Sequence, residues 1–313
     1  MSEFVYSNVD REMEVYGYDS VVKSYCRMCH GGCGVLVYTK DGKVSKIAGD
    51  PDSPLNHGTL CTKGIASAQL AYHPDRLTYP VRRIGAKGSG KWERISWDEA
   101  LESIAGKILE YKDRYGAESI VMGYGTGRET DAVVYRFANL LSTPNVLTAG
   151  HFCYGPRIAT GIITCGSIPI VDYENHPRCI MVWGNNLVIS NPDEYKGEPF
   201  SVSLDKGARL IAVDPRLTRI AARADIWLQL RPGTDAALAL GMLNVIVTED
   251  LYDRAFVENY VHGWEAFVKR VNEYPLDKVE EITWVPEEKI REAARLFATT
   301  KPSVIQWGVA IEQ

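Results

Sequence analysis

The amino-acid sequence predicts an α/β protein that begins with a small β domain and continues into doubly wound α/β domains. In the second half, short apolar runs suited to buried strands alternate with helical segments, the pattern of a mostly parallel sheet covered on both faces. Nearer the N-terminus, two β-prone runs flank Asp41-Gly42, which is a strong hairpin signal. Three cysteines precede this hairpin and a fourth follows it, so we expect a metal site to help the small β domain fold.

The composition is that of an ordinary globular protein and argues against several functions. The 313 residues are 45% hydrophobic and 24% charged, enough for a sizeable core and two or more domains. A formal net charge of −5 gives no basic surface, so no nucleic acid partner is expected. No apolar run approaches about 18 residues and the first residues lack a secretion signal, so we expect no membrane segment and a cytoplasmic location.

The most distinctive pattern in the chain is C-x2-C-x3-C followed by a fourth cysteine, formed by Cys26, Cys29, Cys33 and Cys61. Four thiolates close together can ligate a [4Fe–4S] cluster, because each iron takes one soft sulfur ligand. Glycines in the loop let the backbone turn tightly around a bulky cluster. Zinc is the main alternative, although zinc ribbons usually combine two C-x2-C pairs and this chain has one. A set of disulfides is a further alternative, which a reducing compartment disfavours.

The first elements follow from local signals. Residues 1–23 are polar and weakly patterned, so we expect an N-terminal arm. The hairpin strands are predicted over 34–40 and 43–47, and a turn-rich link over 49–54 leads back toward Cys61.

A helix is predicted next, because Ser96 and Glu99 form a capping box and Gly116 follows the last periodic residue. Four apolar side chains share one face of this helix at helical spacing and predict a core contact: Leu101, Ile104, Ile108 and Tyr111. A strand over 119–122 then leads into a glycine-rich segment over 123–127. These glycines lack the full G-x-G-x-x-G pattern, so a plain strand-to-helix turn is predicted rather than a phosphate loop.

The parallel sheet is predicted from four short apolar runs, each ended by glycine or small polar residues: 179–183, 209–213, 226–230 and 303–307. A helix over 236–248 is apolar enough to be buried. A second helix over 286–299 has proline in its first turn.

Polar side chains gather just after these strands, where ligands bind in parallel α/β sheets. Amides and hydroxyls there could hold phosphates, and a carboxylate could accept paired N–H donors from guanine. We therefore interpret the strand ends as a nucleotide site built from Asn185, Asn186, Ser190, Asp214, Thr218, Thr234 and Asp235. The alternative is that the Asp and Asn residues serve only as turn formers.

The remaining cysteines divide into two kinds. Cys165 and Cys179 have apolar sequence neighbours and are predicted to be inert core residues. Cys153 lies in a polar, glycine-flanked turn over 150–157, where a thiol could be a nucleophile or a metal ligand. A half-buried cysteine without chemistry is the alternative, and spacing alone does not choose between the two.

Together these motifs resemble the N-terminal portion of the molybdopterin oxidoreductases, the molybdenum or tungsten bis(guanine dinucleotide) enzymes of the dimethyl sulfoxide reductase and formate dehydrogenase type. The resemblance extends from about Tyr25 to the end and rests on five segments: Cys61-Thr62-Lys63-Gly64, Trp92-Glu93-Arg94-Ile95-Ser96-Trp97-Asp98-Glu99-Ala100-Leu101, Asp214-Pro215-Arg216, Ala224-Asp225-Ile226-Trp227 and Arg231-Pro232-Gly233-Thr234-Asp235. It implies a cluster domain over 24–72, a first segment of an α/β molybdopterin domain over 73–145, and an incomplete dinucleotide-binding α/β domain over 146–313.

The resemblance also implies a role for each matching position. Lys63 matches the lysine that lies between cluster and pterin, and Cys153 matches the protein ligand of the molybdenum or tungsten. His151 and Arg157 are candidates to orient or protonate a small-molecule substrate, with a structural role as the alternative for each. The cluster ligands would be Cys26, Cys29, Cys33 and Cys61. One guanine dinucleotide would bind the strand-end loops, with Asp235 recognising the guanine edge: Gly184, Asn185, Asn186, Ser190, Asp214, Pro215, Arg216, Thr218, Gly233, Thr234 and Asp235.

Within the family, segments 224–240 and 274–279 are most similar to the acetylene hydratase branch, and the motif at 153–156 is similar to formate dehydrogenases. Tyr154 stands where formate dehydrogenases carry histidine, and His30 stands where acetylene hydratase carries a catalytic aspartate. A redox enzyme is therefore the leading expectation. A hydratase or lyase on the same cofactors is the second, and a non-catalytic iron–sulfur module is the third.

Catalytic subunits of this family are more than twice as long as this chain, so we expect the C-terminal β-barrel to be absent. Expected partners are the missing C-terminal part and an iron–sulfur electron-transfer subunit.

Overall fold

The computed structural model describes residues 2–29, 31–125, 130–151, 153–189 and 196–311, of which 2–8 and 151 are described by their backbone alone. Contacts between residues divide the chain into two units. The first joins the residues up to Ala68 with those from Pro169 onward, and the second is Gln69–Ile168. Within these described ranges, no helix is long and apolar enough to cross a bilayer.

In chain order the helices are α1 Ser2–Tyr16, α2 Thr62–Ile65, α3 Ser67–Ala71, α4 Trp97–Tyr115, α5 Asp131–Leu141, α6 Gly155–Cys165, α7 Gly197–Asp205, α8 Asp235–Thr248, α9 Arg254–Tyr260, α10 Trp264–Asn272, α11 Leu276–Thr283 and α12 Glu287–Thr299. The strands are β1 Ser20–Tyr25, β2 Gly34–Lys40, β3 Lys43–Gly49, β4 Val81–Arg83, β5 Trp92–Arg94, β6 Met122–Tyr124, β7 Val146–Thr148, β8 Cys179–Trp183, β9 Arg209–Val213, β10 Ile226–Leu228 and β11 Ser303–Trp307.

The small sheet of the first unit is antiparallel and has the order β1-β2-β3. The predicted hairpin is confirmed, because β2 and β3 are joined at Asp41 and Gly42. Both residues have left-handed backbone angles, with φ of 52° and 70°, which suits a tight hairpin turn between twisted strands. The central strand β2 supplies the buried side chains Val35, Leu36 and Tyr38.

The segment 1–23 is more structured than the arm expected from the sequence. It contains α1 and most of β1, and β1 pairs with β2 along its whole length. The last four residues of β1 are exposed, so this edge strand has no hydrophobic alternation for sequence analysis to detect. An ion pair between Lys46 and Glu12, with 2.7 Å between Nζ and Oε1, connects α1 to the sheet.

The larger sheet is parallel throughout and has the order β10-β9-β8-β11. Because successive side chains point to opposite faces of a strand, β8 contributes to two cores. Met181 and Trp183 pack with residues of α8, α11 and α12 on one face, whereas Ile180 and Val182 pack with Phe200 of α7 on the other. This arrangement confirms the predicted parallel sheet with helices on both faces.

The predicted bounds hold for β8, β9 and β11, but β10 ends at Leu228 and not at Leu230. Its neighbour β9 ends at Val213, and Pro215 has no N–H with which to continue the ladder. The predicted helices are present as α8 and α12, and the apolar α8 is buried as expected.

In the second unit, α4 has the predicted bounds. Its N-cap Ser96 accepts a hydrogen bond from the Glu99 N–H at 3.1 Å, and Gly116 ends it with φ of 84°. The strand predicted over 119–122 is displaced. A 3-10 turn occupies Ala117–Ser119, and β6 begins at Met122, where it pairs in parallel with β7.

The predicted core face of α4 is wrong for the described structure. Leu101, Ile104 and Tyr111 are 59%, 58% and 52% exposed, because none of the described elements covers them. The amphipathic spacing is real, but spacing does not specify which element covers the apolar face. The glycine-rich turn after β6 includes Thr126 and Gly127, which lie outside the described residues, so the turn stays a prediction.

Packing between α8 and α11 gives a test of the fold at Gly241. A Cβ added there would lie 2.8 Å from Cγ1 of Val279. We expect Gly241→Ala to lower the free energy of unfolding by about 1–3 kcal/mol through overpacking, although alanine is the better helix former. Chemical denaturation measures the change.

The matched control is Gly106→Ala in α4, where nothing lies within 4 Å of the added Cβ. It should stabilise its helix by about 0.5–1 kcal/mol. Equal effects of the two substitutions would contradict the packing at Gly241.

Candidate functional site

The four cysteines of the spacing motif lie around one cavity of about 230 Å³ in the first unit. Cys26 and Cys29 follow β1, Cys33 comes directly before β2, and Cys61 comes directly before α2. All four side chains are partly buried thiols that form no disulfide. The other residues that line the cavity are Met28, Gly32, Asn56, Thr59, Leu60, Val188, Gly197 and Glu198.

Backbone hydrogen bonds shape the loop that carries the first three cysteines. The N–H of Cys26 donates to the carbonyl oxygen of Cys33 at 2.8 Å and closes the loop at its base. The N–H of Gly31 donates to Sγ of Cys29 at 3.4 Å. Hydrogen bonds of this kind stabilise thiolate ligands and tune the potential of iron–sulfur clusters. Gly32 has φ of 63°, which a residue with a side chain adopts less readily.

The buried amide of Asn56 connects the two cysteine-bearing segments. Its Oδ1 accepts a hydrogen bond from the N–H of Gly34 at 2.8 Å, beside Cys33. Its Nδ2 donates to the carbonyl oxygens of Gly34 at 3.1 Å and Thr59 at 2.6 Å, close to Cys61. Asn56 is 1% exposed. Sequence reasoning missed it, and its only signal was an amide within the turn-rich segment between the third and fourth cysteines.

The donor set fits an iron–sulfur cluster. Among the described residues, no three or more His, Cys, Asp or Glu side chains come close enough to hold a single metal ion. The four thiols instead surround a cavity, and each could supply one sulfur to a cluster larger than one ion. Val188, in the loop after β8, and Glu198, in α7, also line the cavity and were not predicted from the sequence.

Lys63 lies in α2, the short helix that begins directly after Cys61. Its side chain is partly buried. Cys61 is the N-cap of this helix. Lys63 therefore lies in the first turn after the fourth cysteine of the cavity.

The predicted nucleotide residues lie at the carboxyl ends of β8, β9 and β10, which the parallel order brings to one edge of the sheet. Gly184 has φ of 55° and lies against Gly308, which follows β11. A Cβ added at Gly308 would be 2.3 Å from the carbonyl oxygen of Gly184. Asn185 Nδ2 donates to the carbonyl oxygen of Trp307 at 3.1 Å. Asn186 follows, partly buried, and Ser190 lies outside the described residues.

Several of these side chains make bonds within their own loops. Asp214 accepts a hydrogen bond from the N–H of Arg216 at 2.8 Å, and Thr218 accepts one from the N–H of Ala221 at 3.0 Å. Thr234 donates to the carbonyl oxygen of Arg231 at 2.6 Å. These contacts support the turn-forming role for the three side chains. The loops also carry the predicted residues Pro215, Arg216 and Gly233, all exposed.

Asp235 differs from its neighbours because its partner is a side chain of another strand. The indole Nε1–H of Trp183 donates to Oδ1 of Asp235 at 2.7 Å. Asp235 is the first residue of α8, where the positive end of the helix dipole stabilises a carboxylate.

Cys153 and Arg157 belong to the second unit. Cys153 is a partly buried thiol between a 3-10 turn, Ala149–His151, and α6. The guanidinium of Arg157 lies 4.5 Å from the ring centre of Tyr154, which is a cation–π distance. An added Cβ at Gly155 would be 2.7 Å from the carbonyl oxygen of Gly150, so the turn before α6 is closely packed. The side chain of His151 lies outside the described structure.

The predicted site residues therefore fall into two groups. The structure brings the four cluster cysteines together around one cavity and gathers the strand-end loops at one edge of the sheet, both in the first unit. Cys153 and Arg157 lie in the second unit.

The prediction of two inert core cysteines is right for Cys179 and wrong for Cys165. Cys179 is fully buried, and burial raises the pKa of its thiol to about 11. Cys165 is the last residue of α6 and is exposed, because its apolar sequence neighbours lie on a helix face that the described residues leave open.

Comparison with known proteins matches both parts of the chain. A model described as the molybdopterin oxidoreductase Fe4S4 domain matches residues 19–73, and the molybdopterin oxidoreductase model matches residues 76–312. Acetylene hydratase of Syntrophotalea acetylenica is 40% identical over 299 residues, which is 92% of this chain and 40% of that protein. Dopamine dehydroxylase of Eggerthella lenta is 36% identical over 84% of this chain and 26% of its own length.

Formate dehydrogenase H of Escherichia coli is 32% identical over 93% of this chain and 42% of its own length. The solved structure of acetylene hydratase from Pelobacter acetylenicus aligns with a TM-score of 0.78 at 38% identity, covering 93% of this chain and 40% of that one. The chain thus spans about two fifths of the acetylene hydratase length. These matches confirm the resemblance drawn from the motifs and the order of a cluster domain before an α/β domain.

Thiol labelling tests the assignment of the cysteines outside the cluster. At neutral pH an alkylating reagent should modify Cys165 and leave Cys179 unmodified in the native protein, because the reagent attacks an accessible thiolate. Peptide mass spectrometry measures both sites. Rapid native modification of Cys179 would contradict its burial, and labelling in denaturant provides the control for reactivity.

Replacing Asn56 with Asp tests the link between the cysteine segments. The isosteric carboxylate keeps the acceptor for Gly34 and loses both N–H donors, so we expect loss of cluster iron and about 3 kcal/mol less stability. Iron and sulfide analysis with chemical denaturation measures both.

Asn145→Asp is the matched control, since the exposed Asn145 also donates Nδ2–H to a backbone carbonyl, that of Glu118 at 2.7 Å. A full iron content in the Asn56 variant would show that the amide does not hold the site.

Proposed function

Since the chain belongs to the molybdopterin oxidoreductase family, we propose that it is the N-terminal catalytic part of a molybdenum or tungsten oxidoreductase. The matched domains indicate a [4Fe–4S] cluster and a molybdopterin cofactor. The observation that carries the proposal is the single cavity lined by Cys26, Cys29, Cys33 and Cys61 inside the matched cluster domain. When bound, these cofactors supply two-electron redox chemistry at the metal and one-electron transfer at the cluster.

The cluster would be held by the four cysteine thiolates, and the N–H of Gly31 would remain as a donor to Sγ of Cys29. Lys63 would place a positive charge beside the cluster ligand Cys61, in the helix that Cys61 caps. A fixed cation near a cluster favours its reduced, more negative state. Lys63 is therefore assigned to electron transfer between cluster and pterin.

Cys153 would donate its thiolate to the molybdenum or tungsten. A thiolate ligand would lower the effective charge on the metal and tune its potential. Arg157, held against the ring of Tyr154, and His151, before Cys153, would orient or protonate a small-molecule substrate.

The strand-end loops would bind the guanine dinucleotide form of the pterin. Asp214, Thr218 and Thr234 stabilise the loops from within. Backbone N–H groups of these loops, together with Asn185, Asn186 and Ser190, would contact the phosphates. The carboxylate of Asp235 would accept the N–H donors of guanine. A second dinucleotide would need residues beyond this chain.

The relatives are more than twice as long as the region matched, so we propose that further polypeptide completes the enzyme, and that an iron–sulfur subunit exchanges electrons with the cluster. A site of four cysteines without a disulfide suits a reducing compartment, which supports the cytoplasm as the location and anaerobic metabolism as the setting.

A second candidate function is hydration on the same cofactors, without net redox change. The 40% identity to acetylene hydratase favours it. Turnover that requires an artificial electron donor or acceptor would support the oxidoreductase, whereas addition of water to substrate without either would support the hydratase.

Metal analysis of anaerobically purified protein tests the proposed function. We expect about four iron atoms per chain together with molybdenum or tungsten and guanine nucleotide. Iron alone would support a non-catalytic iron–sulfur module, and stoichiometric zinc without iron would contradict the cluster.

Replacing Cys153 with Ala should abolish turnover by the assembled enzyme and change the metal absorption spectrum, because the metal loses its protein ligand. Iron content should stay unchanged, since the cluster ligands are intact. Cys165→Ala, which removes an exposed thiol from the same unit, is the control and should retain activity. Full turnover by the Cys153 variant would exclude it as the ligand.

A further inference from the structure

We propose that Trp183 is a positioning residue that orients Asp235 for recognition of guanine, an inference that rests on the proposed function. The contact is the hydrogen bond from the indole Nε1–H of Trp183 to Oδ1 of Asp235, at 2.7 Å. It joins the last residue of β8 to the first residue of α8, 52 positions further along the chain.

The indole of Trp183 cannot easily change direction. It is 6% exposed and packs in the core with buried residues of the neighbouring strand and of α8, among them Val213 and Leu238. Interiors of this kind are close-packed, so the ring keeps one orientation and the N–H vector is fixed with it. A bond to a carboxylate is also charge-assisted, which makes it shorter and stronger than a neutral hydrogen bond.

The carboxylate of Asp235 has one oxygen held and one oxygen available. No described residue donates a hydrogen bond to Oδ2, and the side chain is only partly buried. Each carboxylate oxygen has two lone pairs. Oδ2 and the second lone pair of Oδ1 can therefore accept two parallel N–H bonds from a ligand. Guanine presents such a pair at N1 and N2, whereas hypoxanthine presents only the N1–H.

A purely structural role for the contact is the competing explanation, since a buried indole N–H usually needs an acceptor. A second tryptophan of the sheet, Trp227, shows which acceptor is sufficient for an indole N–H. Trp227 is in β10, and its Nε1–H donates at 2.8 Å to the backbone carbonyl of Asp214. A carbonyl is thus sufficient for an indole at this edge of the sheet. The use of an ionisable carboxylate at Asp235 points to a second partner for that group.

Binding of guanosine diphosphate and inosine diphosphate to the full chain tests the proposal by calorimetry. The wild-type chain should bind the guanosine form more tightly. Trp183→Phe should weaken its binding by about tenfold and reduce the preference over the inosine form, because the carboxylate loses its orienting bond. Asp235→Asn should remove the preference, since an amide N–H faces the guanine donors.

The control is Trp227→Phe, which removes the same indole N–H from a bond to a backbone carbonyl and should leave the preference unchanged. Benzothienylalanine at position 183 keeps the bicyclic ring without the N–H and should reduce the guanosine preference as Trp183→Phe does. It replaces Trp183→Phe in the test if the smaller phenylalanine ring disturbs folding. An unchanged preference in a folded variant at position 183 would refute the positioning role alone. Absence of any guanosine preference in the wild-type chain would refute guanine recognition as well, while the iron and metal content would still test the rest of the proposed function.

Discussion

The cluster site depends on one buried amide. Cys33 and Cys61 are 28 residues apart in loops that no strand ladder aligns, and Asn56 is bonded to the backbone beside each of them. Three hydrogen bonds of a residue that is 1% exposed join those loops, together with the backbone bonds from the N–H of Asp50 to Gly34 and from the N–H of Gly58 to Asp50. The bond between Cys26 and Cys33 then closes the first loop, and the N–H of Gly31 approaches the sulfur of Cys29. These backbone contacts join the segments that carry the four thiols around one cavity.

The second constraint is the alternation of side chains along the parallel strands. It sends Met181 and Trp183 to one core and Ile180 and Val182 to the other, and it brings the carboxyl ends of all four strands to one edge. The same register that satisfies the cores therefore gathers the polar loops. Gly184 and Gly308 belong to this constraint, since a side chain at Gly308 would occupy the position of the Gly184 carbonyl oxygen.

Much of this could be predicted from the sequence because it depends on local patterns. The hairpin turn at Asp41-Gly42, the cap at Ser96 and the bounds of three strands of the parallel sheet are as predicted, because the signals for turns, caps and apolar strands lie in neighbouring residues. The second hairpin strand, β3, continues to Gly49, two residues beyond its predicted end. The predictions that were wrong concerned features that depend on contacts between residues distant in the sequence. The strand β1 is recognised only by its pairing with β2, Cys165 is exposed despite its apolar neighbours, and the apolar face of α4 has the right spacing with no described element against it. The sequence could not distinguish Asn56 from an ordinary turn residue, because its role depends on its hydrogen bonds to Gly34 and Thr59.

The strand-end loops show how contacts refine a list of candidate residues. Asp214, Thr218 and Thr234 were predicted on the basis of polarity, but each bonds within its own loop. Under the proposed function, each would act on a ligand through the backbone that it shapes. Asp235 bonds outside its loop, to an indole fixed by the core. A carboxylate held by an indole of the core has a direction that the flexibility of its own loop does not alter. Backbone N–H groups bind any phosphate, whereas a carboxylate of fixed direction distinguishes one base from another. Under the proposed function, phosphate binding and base recognition at this edge would therefore be carried by different residues, and the orientation of Asp235 would be controlled from the core of the sheet.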